Sequence, residues 1–243
     1  MILAVDSGNT NVKWGIFDGH KWLVLKINPH FDYIALADSW KSLPSISLII
    51  ISNVAGTSAR KSLTDLLPLS SSKPLWIEAT RTQCGLINNY YNSESLGSDR
   101  WASMIAIWNQ YHEPSLIVTV GTAMTVDMIS ASGDFVGGII TPGVSILNNA
   151  LADKTSLPSA ETGIYDSFSL STENALFTGV IDSLVGVIEK VYCSMLNKYH
   201  YKKIHCVLSG GDSKVLLPYL DPRFTLIDNL VLKGLLVIAQ SRK

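Results

Sequence analysis

The sequence predicts an α/β protein with mixed sheets. Short apolar runs typical of strands alternate along the 243 residues with longer stretches whose apolar residues recur every three or four positions. This alternation is typical of α/β architecture. Near the start of each half, two strand-like runs are separated only by a glycine turn, as in an antiparallel hairpin. These hairpins make the predicted sheets mixed rather than purely parallel.

The first half is predicted to contain a group of strands followed by two helices. The predicted strands are Leu3–Val5, Val12–Phe17, Trp22–Ile27 and Ser47–Ser52. The run 47–52 lacks alternation, as expected for an interior strand covered on both faces. One helix is predicted at Ser58–Leu67, where Pro68 ends it, and another at Asp99–Tyr111. Trp101, Ile105 and Trp108 share one face of the second helix and are predicted to be core residues.

The second half is predicted to begin after the break His112-Glu-Pro-Ser115, which divides the chain into residues 1–113 and 114–243. Its predicted strands are Leu116–Val120, the returning strand after Gly121, Phe135–Ile140 and Ile204–Leu208. Its predicted helices are Val144–Ala152, Thr172–Tyr199, a short one ending at Leu220 and a closing one from Leu230. The Thr172–Tyr199 stretch carries a continuous apolar stripe that indicates a core-facing helix.

The first glycine turn carries polar groups suited to phosphate. It runs from Asp6 through Gly8, Asn9 and Thr10 to Lys13. Backbone N–H groups in such a turn can hold phosphate oxygens, and Thr10 and Lys13 add further donors. Asp6 is then placed to hold a phosphate-bound Mg²⁺, because hard cations take carboxylate and phosphate oxygens. The alternative is an ordinary hairpin turn with no ligand.

The second half repeats this turn. When Gly121 is aligned with Gly8, Thr122 falls on Asn9 and Thr119 falls on Asp6. One strand–turn–strand phosphate loop per half predicts a duplicated fold that closes on a nucleotide in an interdomain cleft. This is the organisation of the actin, sugar-kinase and Hsp70 group. Two unrelated hairpins remain the alternative.

A third motif lies at the start of a predicted helix, in the segment Tyr90–Trp101. Asp99 and Arg100 follow Gly97 where loop becomes helix. A carboxylate there can accept a proton from a hydroxyl, and a guanidinium can bind a carboxylate through two hydrogen bonds. The alternative is that Asp99 only caps the helix and Arg100 lies at the surface.

Two further glycine segments allow the backbone to approach a ligand closely. They are Gly137–Gly143, before a predicted helix, and Ser209–Asp212, between a strand and a helix. The second is a natural binding place for a nucleoside or phosphate. Plain turns are the alternative for both.

Composition excludes several classes of function. The formal net charge is −1, with no long run of basic residues, so neither nucleic acid nor a membrane surface is an expected partner. Five apolar residues before Asp6 are too few for a signal peptide, and we expect a cytoplasmic protein. The three cysteines lack the spacing of a structural zinc site.

Taken in order, these motifs resemble a known family. They are Asp6–Thr10, Leu96–Trp101, Gly121–Asp127, Gly137–Gly143, Thr155–Pro158, Ser209–Asp212 and Leu230–Leu235. Over essentially its whole length the chain is similar to the type III pantothenate kinases. The resemblance implies an actin-like kinase fold and a homodimer with shared active sites. It also implies ATP-dependent phosphorylation of pantothenate to 4′-phosphopantothenate, the first step of coenzyme A biosynthesis, with Mg²⁺.

The resemblance also implies the roles of individual residues. The residues implied to bind ATP are Asp6, Ser7, Gly8, Asn9, Thr10, Asn11, Val12, Lys13 and Thr122. Asp99 is implied to be the general base. The residues implied to line the substrate site are Tyr90, Gly97, Ser98, Asp99 and Arg100, with Thr172 reaching the substrate of the partner subunit.

Two positions depart from the family pattern. Many members carry Asp where this chain has Thr119, as a ligand resembling one for K⁺ or NH₄⁺, so the monovalent-cation site is doubtful here. Ser93 replaces the family's proline, which is expected to loosen its loop. Another phosphotransferase of the same fold, or a nucleotide-binding regulator without activity, remains the alternative function.

Overall fold

The computed structural model describes residues 1–30, 32–70 and 72–242. The chain divides into two compact units. The first contains Met1–Tyr111 and the C-terminal segment from Asn229 onward, and the second contains His112–Asp228. The predicted break after residue 113 lies close to this boundary. The prediction is corrected at the C-terminal end, because the closing helix belongs to the first unit and not to the second.

The elements are these, in chain order. The strands are β1 (Ile2–Ser7), β2 (Asn11–Phe17), β3 (Trp22–Pro29), β4 (Leu48–Asn53), β5 (Leu75–Ile77), β6 (Thr82–Gln83), β7 (Leu86–Asn88), β8 (Ser115–Val120), β9 (Ala123–Ile129), β10 (Asp134–Pro142), β11 (His205–Ser209) and β12 (Phe224–Leu226). The α-helices are α1 (Tyr33–Lys41), α2 (Gly56–Leu66), α3 (Ser98–Tyr111), α4 (Val144–Ala150), α5 (Thr172–Tyr199), α6 (Ser213–Leu216) and α7 (Leu230–Gln240).

The predicted strands and helices are all present, with ends shifted by only a few residues. The bounds of α5 agree with the prediction at both ends. The sequence prediction omitted α1, β5, β6, β7 and β12. Helix α1 has a capped start, since the Asp32 side chain accepts a hydrogen bond from the N–H of Ala35.

The first unit contains a mixed sheet in the order β3-β2-β1-β4-β5. β1 pairs antiparallel with β2 and parallel with β4. One face packs against α1 and α2 in a core of buried apolar residues that includes Val5, Trp14, Trp40 and Leu63. The hairpin of β6 and β7 precedes α3, whose Trp101 and Trp108 are buried as predicted.

Helices α3 and α7 lie in direct backbone contact within the first unit. A Cβ atom on Gly234 of α7 would lie 1.8 Å from the carbonyl oxygen of Ala102 in α3. α7 also packs on β1 and β4. Because no side chain fits at this crossing, Gly234 lets the C-terminal helix fix α3, whose first residues carry the predicted base.

The second unit has its own mixed sheet and core. Its strands run in the order β12-β11-β8-β9-β10; β11 pairs parallel with β8 and β12, and β9 pairs antiparallel with β8 and β10. The apolar stripe of α5, which includes Leu184, Ile188, Val191 and Met195, is buried in this core. Among the described residues, no helix is both long enough and apolar enough to cross a membrane.

Candidate active site

The turn between β1 and β2 is the predicted phosphate loop, and its polar side chains differ in how exposed they are. Asn9 and Thr10 are exposed, while Lys13 is half-buried. The N–H of Gly8 donates to the carbonyl of Asn11 at 3.0 Å. The Gly8 donor is therefore already used inside the turn, and the binding of phosphate by backbone N–H groups of this turn stays a prediction. The side chains of Asn9, Thr10 and Lys13 remain as exposed or half-buried polar groups.

Three of the residues predicted to bind ATP expose less of their side chains at this turn than expected. The side chains of Ser7 and Val12 are fully buried, and Asn11 is half-buried. The hydroxyl of Ser7 has no hydrogen-bond partner among the described residues. For Val12, only the backbone is available to a ligand.

Strand pairing brings Asp6 to the predicted base. In the parallel register of β1 and β4, Asp6 lies opposite Ser52. The buried hydroxyls of Ser52 and Ser98 form a hydrogen bond of 2.8 Å. Ser98 is the first residue of α3 and precedes Asp99. The carboxylates of Asp6 and Asp99, far apart in sequence, therefore belong to one site in the first unit.

In this site the charged forms of the Asp6 and Asp99 carboxyl groups are both disfavoured. Burial and, second, the negative charge of Asp99 together raise the pKa of Asp6 to about 7, and the charge of Lys13 partly opposes this shift. Burial also raises the pKa of Asp99, against a hydrogen bond from the N–H of Arg100 and the charge of its guanidinium. Such shifts mark groups that gain from a cation or a transferable proton nearby.

The carboxyl group of Asp99 is held at the start of α3. Its Oδ1 accepts the N–H of Arg100 at 2.7 Å, which satisfies one of the unpaired donors of the first helical turn. A Cβ on Gly97 would lie 2.6 Å from this oxygen, so a larger residue there would displace the Asp99 side chain. Asp99 thus caps the helix through Oδ1.

Arg100 is a buried cation and not the surface residue of the alternative interpretation. Only 6% of its surface is exposed. Its Nη1 donates to the hydroxyl of Tyr90 at 3.1 Å, and its guanidinium carbon lies 5.8 Å from the centre of the Tyr90 ring. Charge is screened less at a buried site than in water, so this guanidinium attracts a carboxylate strongly. The structure therefore brings together Tyr90, Gly97, Ser98, Asp99 and Arg100.

The second unit forms its own glycine turn, between β8 and β9. The N–H of Gly121 donates to the carbonyl of Ala123 at 3.0 Å, as Gly8 does to Asn11 in the first unit. Thr122 is exposed at its tip. A Cβ on Gly143 would lie 1.8 Å from the oxygen of Gly121.

A second glycine approaches the same strand end. A Cβ on Gly210 would lie 2.0 Å from the oxygen of Val120, and the residue has a φ of +103°. The segments predicted to approach a ligand thus meet the Gly121 turn with bare backbone. Both glycines are therefore required for this close packing of backbone against the Gly121 turn, and the binding of a phosphate or nucleoside here stays a prediction.

Thr119 lies in a row of hydroxyl side chains in the second unit. In the sheet register it is opposite Thr125 on β9 and opposite Ser209 on β11. Thr119 is half-buried, and the buried hydroxyl of Thr125 has no hydrogen-bond partner among the described residues. The row contains only neutral oxygens at the position where the family resemblance implies a carboxylate.

Thr172, the last of the predicted site residues, is exposed at the start of α5. The segment before it exposes three large apolar side chains. Ile164 is 74% exposed, Phe168 is 88% exposed and Leu170 is 99% exposed. Nothing within the second unit covers them.

Solved structures show the class of fold. A Campylobacter jejuni protein of the Baf family aligns with a TM-score of 0.67 at 21% identity, covering 99% of this chain and 98% of the other. MreB5 of Spiroplasma citri, crystallised with ADP, aligns with a TM-score of 0.54 at 10% identity, covering 99% and 96%. The fold is therefore that of the actin-like ATPases and sugar kinases, as predicted.

Sequence comparison shows the family. The family model for type III pantothenate kinases matches residues 2–194. The type III pantothenate kinase of Nitrosospira multiformis is 40% identical, over 99% of this chain and 91% of its own length. That of Nitrosomonas eutropha is also 40% identical, over 99% and 95%. The chain belongs to the type III pantothenate kinase family, and it is a phosphotransferase.

The pKa of Asp6 predicts how stability changes with pH in the ligand-free protein. A carboxyl whose pKa is raised on folding contributes stability below its unfolded pKa, and this contribution is lost as pH rises through the folded value. The loss therefore extends from about pH 4 to about pH 7. We expect Asp6→Asn to be more thermostable than the wild type, with a difference in Tm that grows up to about pH 7 and then levels off. Thermal unfolding between pH 5 and 8 measures it.

Asp18→Asn is the matched control. Hydrogen bonds from the N–H groups of Lys21 and His20 lower the pKa of Asp18 in the β2–β3 turn. This carboxylate stabilises the fold when charged, so its removal should lower Tm evenly between pH 5 and 8. A pH-independent Tm difference for Asp6→Asn would contradict the coupled, buried pair.

Proposed function

We propose that this protein transfers the γ-phosphoryl group of ATP to the terminal hydroxyl of pantothenate, which gives 4′-phosphopantothenate for coenzyme A synthesis. The observation that carries the proposal is family membership over nearly the whole chain, at 40% identity to named pantothenate kinases. The buried Asp99–Arg100 pair at the start of α3 supports it, since it joins a proton acceptor to a carboxylate-binding cation. We place this activity in the cytoplasm, where ATP is available.

Asp99 is proposed as the general base. Its Oδ1 is fixed by the N–H of Arg100, so its second oxygen can accept the proton of the attacking hydroxyl. A pKa raised by burial suits this role, because a base works best when its pKa is near the working pH. Phosphoryl transfer otherwise depends mostly on positioning and charge neutralisation.

Asp6 is proposed to hold Mg²⁺ together with the ATP phosphates. Its carboxylate has the oxygen chemistry that Mg²⁺ prefers, and its raised pKa shows that no present group compensates its charge fully. The bound ion would neutralise charge on the phosphates. Asn9, Thr10, Lys13 and Thr122 are also proposed to bind ATP.

Tyr90, Gly97, Ser98 and Arg100 are proposed to line the pantothenate site. Arg100 is buried and positively charged, and Tyr90 fixes its orientation through the hydroxyl. A guanidinium fork held in one orientation matches a carboxylate through two hydrogen bonds. Pantothenate carries such a carboxylate at the end opposite to its reacting hydroxyl.

A coupled ADP-release assay over a panel of small hydroxy acids tests the function. We expect turnover with pantothenate well above that with the other acids. Asp99→Asn should lower kcat by roughly 10²–10⁴-fold while pantothenate and ATP still bind, because it removes the base and keeps the shape. Binding is measured separately by calorimetry.

Two results would contradict this. Turnover of another acid above pantothenate would change the substrate, and near-normal turnover by a folded Asp99→Asn would reduce Asp99 to a helix cap. Glu94→Gln is the control carboxylate, since Glu94 is exposed in the preceding loop, and it should retain activity.

The active enzyme is proposed to be a homodimer in which Thr172 contacts the substrate of the partner subunit. The apolar stripe of α5 does not support this, because it is buried within its own unit. The support is the exposure of Ile164, Phe168 and Leu170 in the segment directly before Thr172. Large exposed apolar side chains are typical of an interaction surface when they form a patch.

Complementation between two defective chains tests the shared site. We expect Asp99→Asn and Thr172→Ala, each impaired alone, to regain activity when they are co-expressed and purified with two different tags. One site of such a heterodimer has both residues intact. Thr172→Ala paired with the double variant Asp99→Asn/Thr172→Ala should regain none. A monomer by light scattering at micromolar concentration would overturn the proposal.

The protein is proposed to depend on K⁺ or NH₄⁺ less than relatives with Asp at position 119. Thr119 and its neighbours in the row, Thr125 and Ser209, offer only neutral hydroxyl oxygens. A neutral dipole binds a monovalent cation much more weakly than a carboxylate does.

Thr119→Asp should therefore create a cation requirement. The added carboxylate is unfavourable beside ATP phosphates unless a cation compensates it, so activity should fall in Tris or Na⁺ buffer and recover with K⁺. Rates are compared at constant ionic strength, which removes general screening, with Thr119→Asn as the neutral control. Strong K⁺ activation of the wild type, unchanged in Thr119→Asp, would contradict the proposal.

A further inference from the structure

A buried amide holds the loop that carries Tyr90. Asn88 ends strand β7 and is fully buried. Its Oδ1 accepts the N–H of Tyr90 at 3.1 Å, and its Nδ2 donates to the carbonyl of Ser93 at 3.0 Å. One side chain thus connects both ends of the segment 90–93, and it does so from inside the protein.

Asn88 is itself fixed by the β6–β7 hairpin. Its own N–H donates to the carbonyl of Arg81 at 2.9 Å. Arg81 in turn donates through Nη1 to the carbonyl of Tyr90 at 3.2 Å. Asn88 therefore fixes the loop of residues 90–93 relative to strand β7.

The rest of the segment is held by local hydrogen bonds, since the Asn92 side chain accepts the N–H of Glu94 and the Ser93 carbonyl accepts the N–H of Leu96. Tyr91 and Asn92 are exposed. Ser93 also lacks the fixed φ of the proline that the family resemblance implies at this position. The Asn88 amide, bonded to the Ser93 carbonyl, restrains the place where that proline is absent.

The amide is the side chain that this position requires. A single buried group must accept one hydrogen bond and donate another, and Asn does both without charge. A serine is too short to span both backbone groups, and an ionised aspartate would set an oxygen against the Ser93 carbonyl. Losing the amide would take this acceptor from the N–H of Tyr90 and remove one of the two donors to the Ser93 carbonyl, which also accepts the N–H of Leu96.

We infer that Asn88 is a positioning residue for pantothenate recognition, which acts by holding Tyr90 and, through the Tyr90 hydroxyl, the Arg100 guanidinium. The inference rests on the proposed substrate site. In this role Asn88 does not contact the substrate itself; it orients the Tyr90 and Arg100 side chains that do. Its loss should weaken carboxylate recognition selectively, with little effect on ATP or on the chemical step.

Steady-state kinetics of Asn88→Ala test this. We expect KM for pantothenate to rise about threefold to tenfold, as for the loss of one or two hydrogen bonds, while kcat and KM for ATP stay within about twofold. Pantetheine resembles pantothenate without the carboxylate. The ratio of kcat/KM for pantothenate to that for pantetheine should therefore fall in Asn88→Ala.

A double-variant cycle tests the route through Tyr90. In a Tyr90→Phe background, where the hydroxyl bond to Arg100 is already absent, Asn88→Ala should raise KM for pantothenate by less than twofold further. Coupled residues give such non-additive effects, whereas independent ones add. Additive effects would overturn the inference.

Ser130→Ala is the matched structural control. Ser130 is a buried side chain that accepts the N–H groups of Ser132 and Asp134 in the β9–β10 turn, which carries no proposed site residue. It should lower Tm without changing KM for either substrate. If Asn88→Ala changes both KM values and kcat alike, Asn88 is only structural and the inference fails.

Two further arms keep the outcomes distinct. If Tyr90→Phe and Arg100→Lys leave KM for pantothenate unchanged, the proposed substrate site is wrong; if they raise it and Asn88→Ala does not, only the role of Asn88 is wrong. If Asn88→Ala does not fold, Asn88→Asp keeps the size and the acceptor for Tyr90. It should raise KM for pantothenate in the same direction, and no rise would overturn the inference.

Discussion

The candidate site depends above all on the parallel pairing of β1 with β4. This register sets Asp6 opposite Ser52, and the hydroxyl of Ser52 binds that of Ser98 at the start of α3. One residue further along is Asp99. A slip of one residue would turn Ser52 to the other face of the sheet and break this connection. The contact of α7 with α3 at Gly234 fixes the same helix from its other side.

This arrangement destabilises the ligand-free protein and is favourable when ligands are bound. Burial of the Asp6 carboxyl, with the nearby negative charge of Asp99 as the second cause, raises its pKa to about 7. Natural proteins retain such strain where function requires it. A divalent cation bound at Asp6 and a hydroxyl proton near Asp99 would each relieve part of it. The unfavourable pair is thus an argument for chemistry at this place rather than for capping alone.

Much of the fold could be predicted because local patterns are strong there. The strands beside the two glycine turns have dense apolar runs. Helix α5 is 28 residues long, carries an apolar stripe and begins after a serine cap. Short elements were missed because two or three residues, as in β6 and β7, carry no periodicity. The place of α7 was missed for another reason. Its contact with Ala102 connects distant parts of the chain, and no local pattern encodes it.

The site was predictable in its motifs and not in its connections. Asp99 and Arg100 are adjacent in sequence, so their shared position followed directly. The coupling of Asp6 to Asp99 did not, because it exists only through the register of β1 and β4. The use of the Gly8 N–H within its own turn also needs coordinates. Asn88 gave no signal at all, since a single amide at the end of a three-residue strand has no recognisable pattern.

The two units have similar glycine turns, but they carry different chemical groups. In each, a glycine N–H donates inside the turn, to Asn11 in the first unit and to Ala123 in the second. The equivalent of Asp6 in the second unit is Thr119, so the repeated turn has lost its acid. Both coupled carboxylates and the buried guanidinium lie in the first unit, whereas the second offers bare glycine backbone and hydroxyls. The two turns therefore share a backbone conformation, while these charged groups lie in the first unit alone among the described residues.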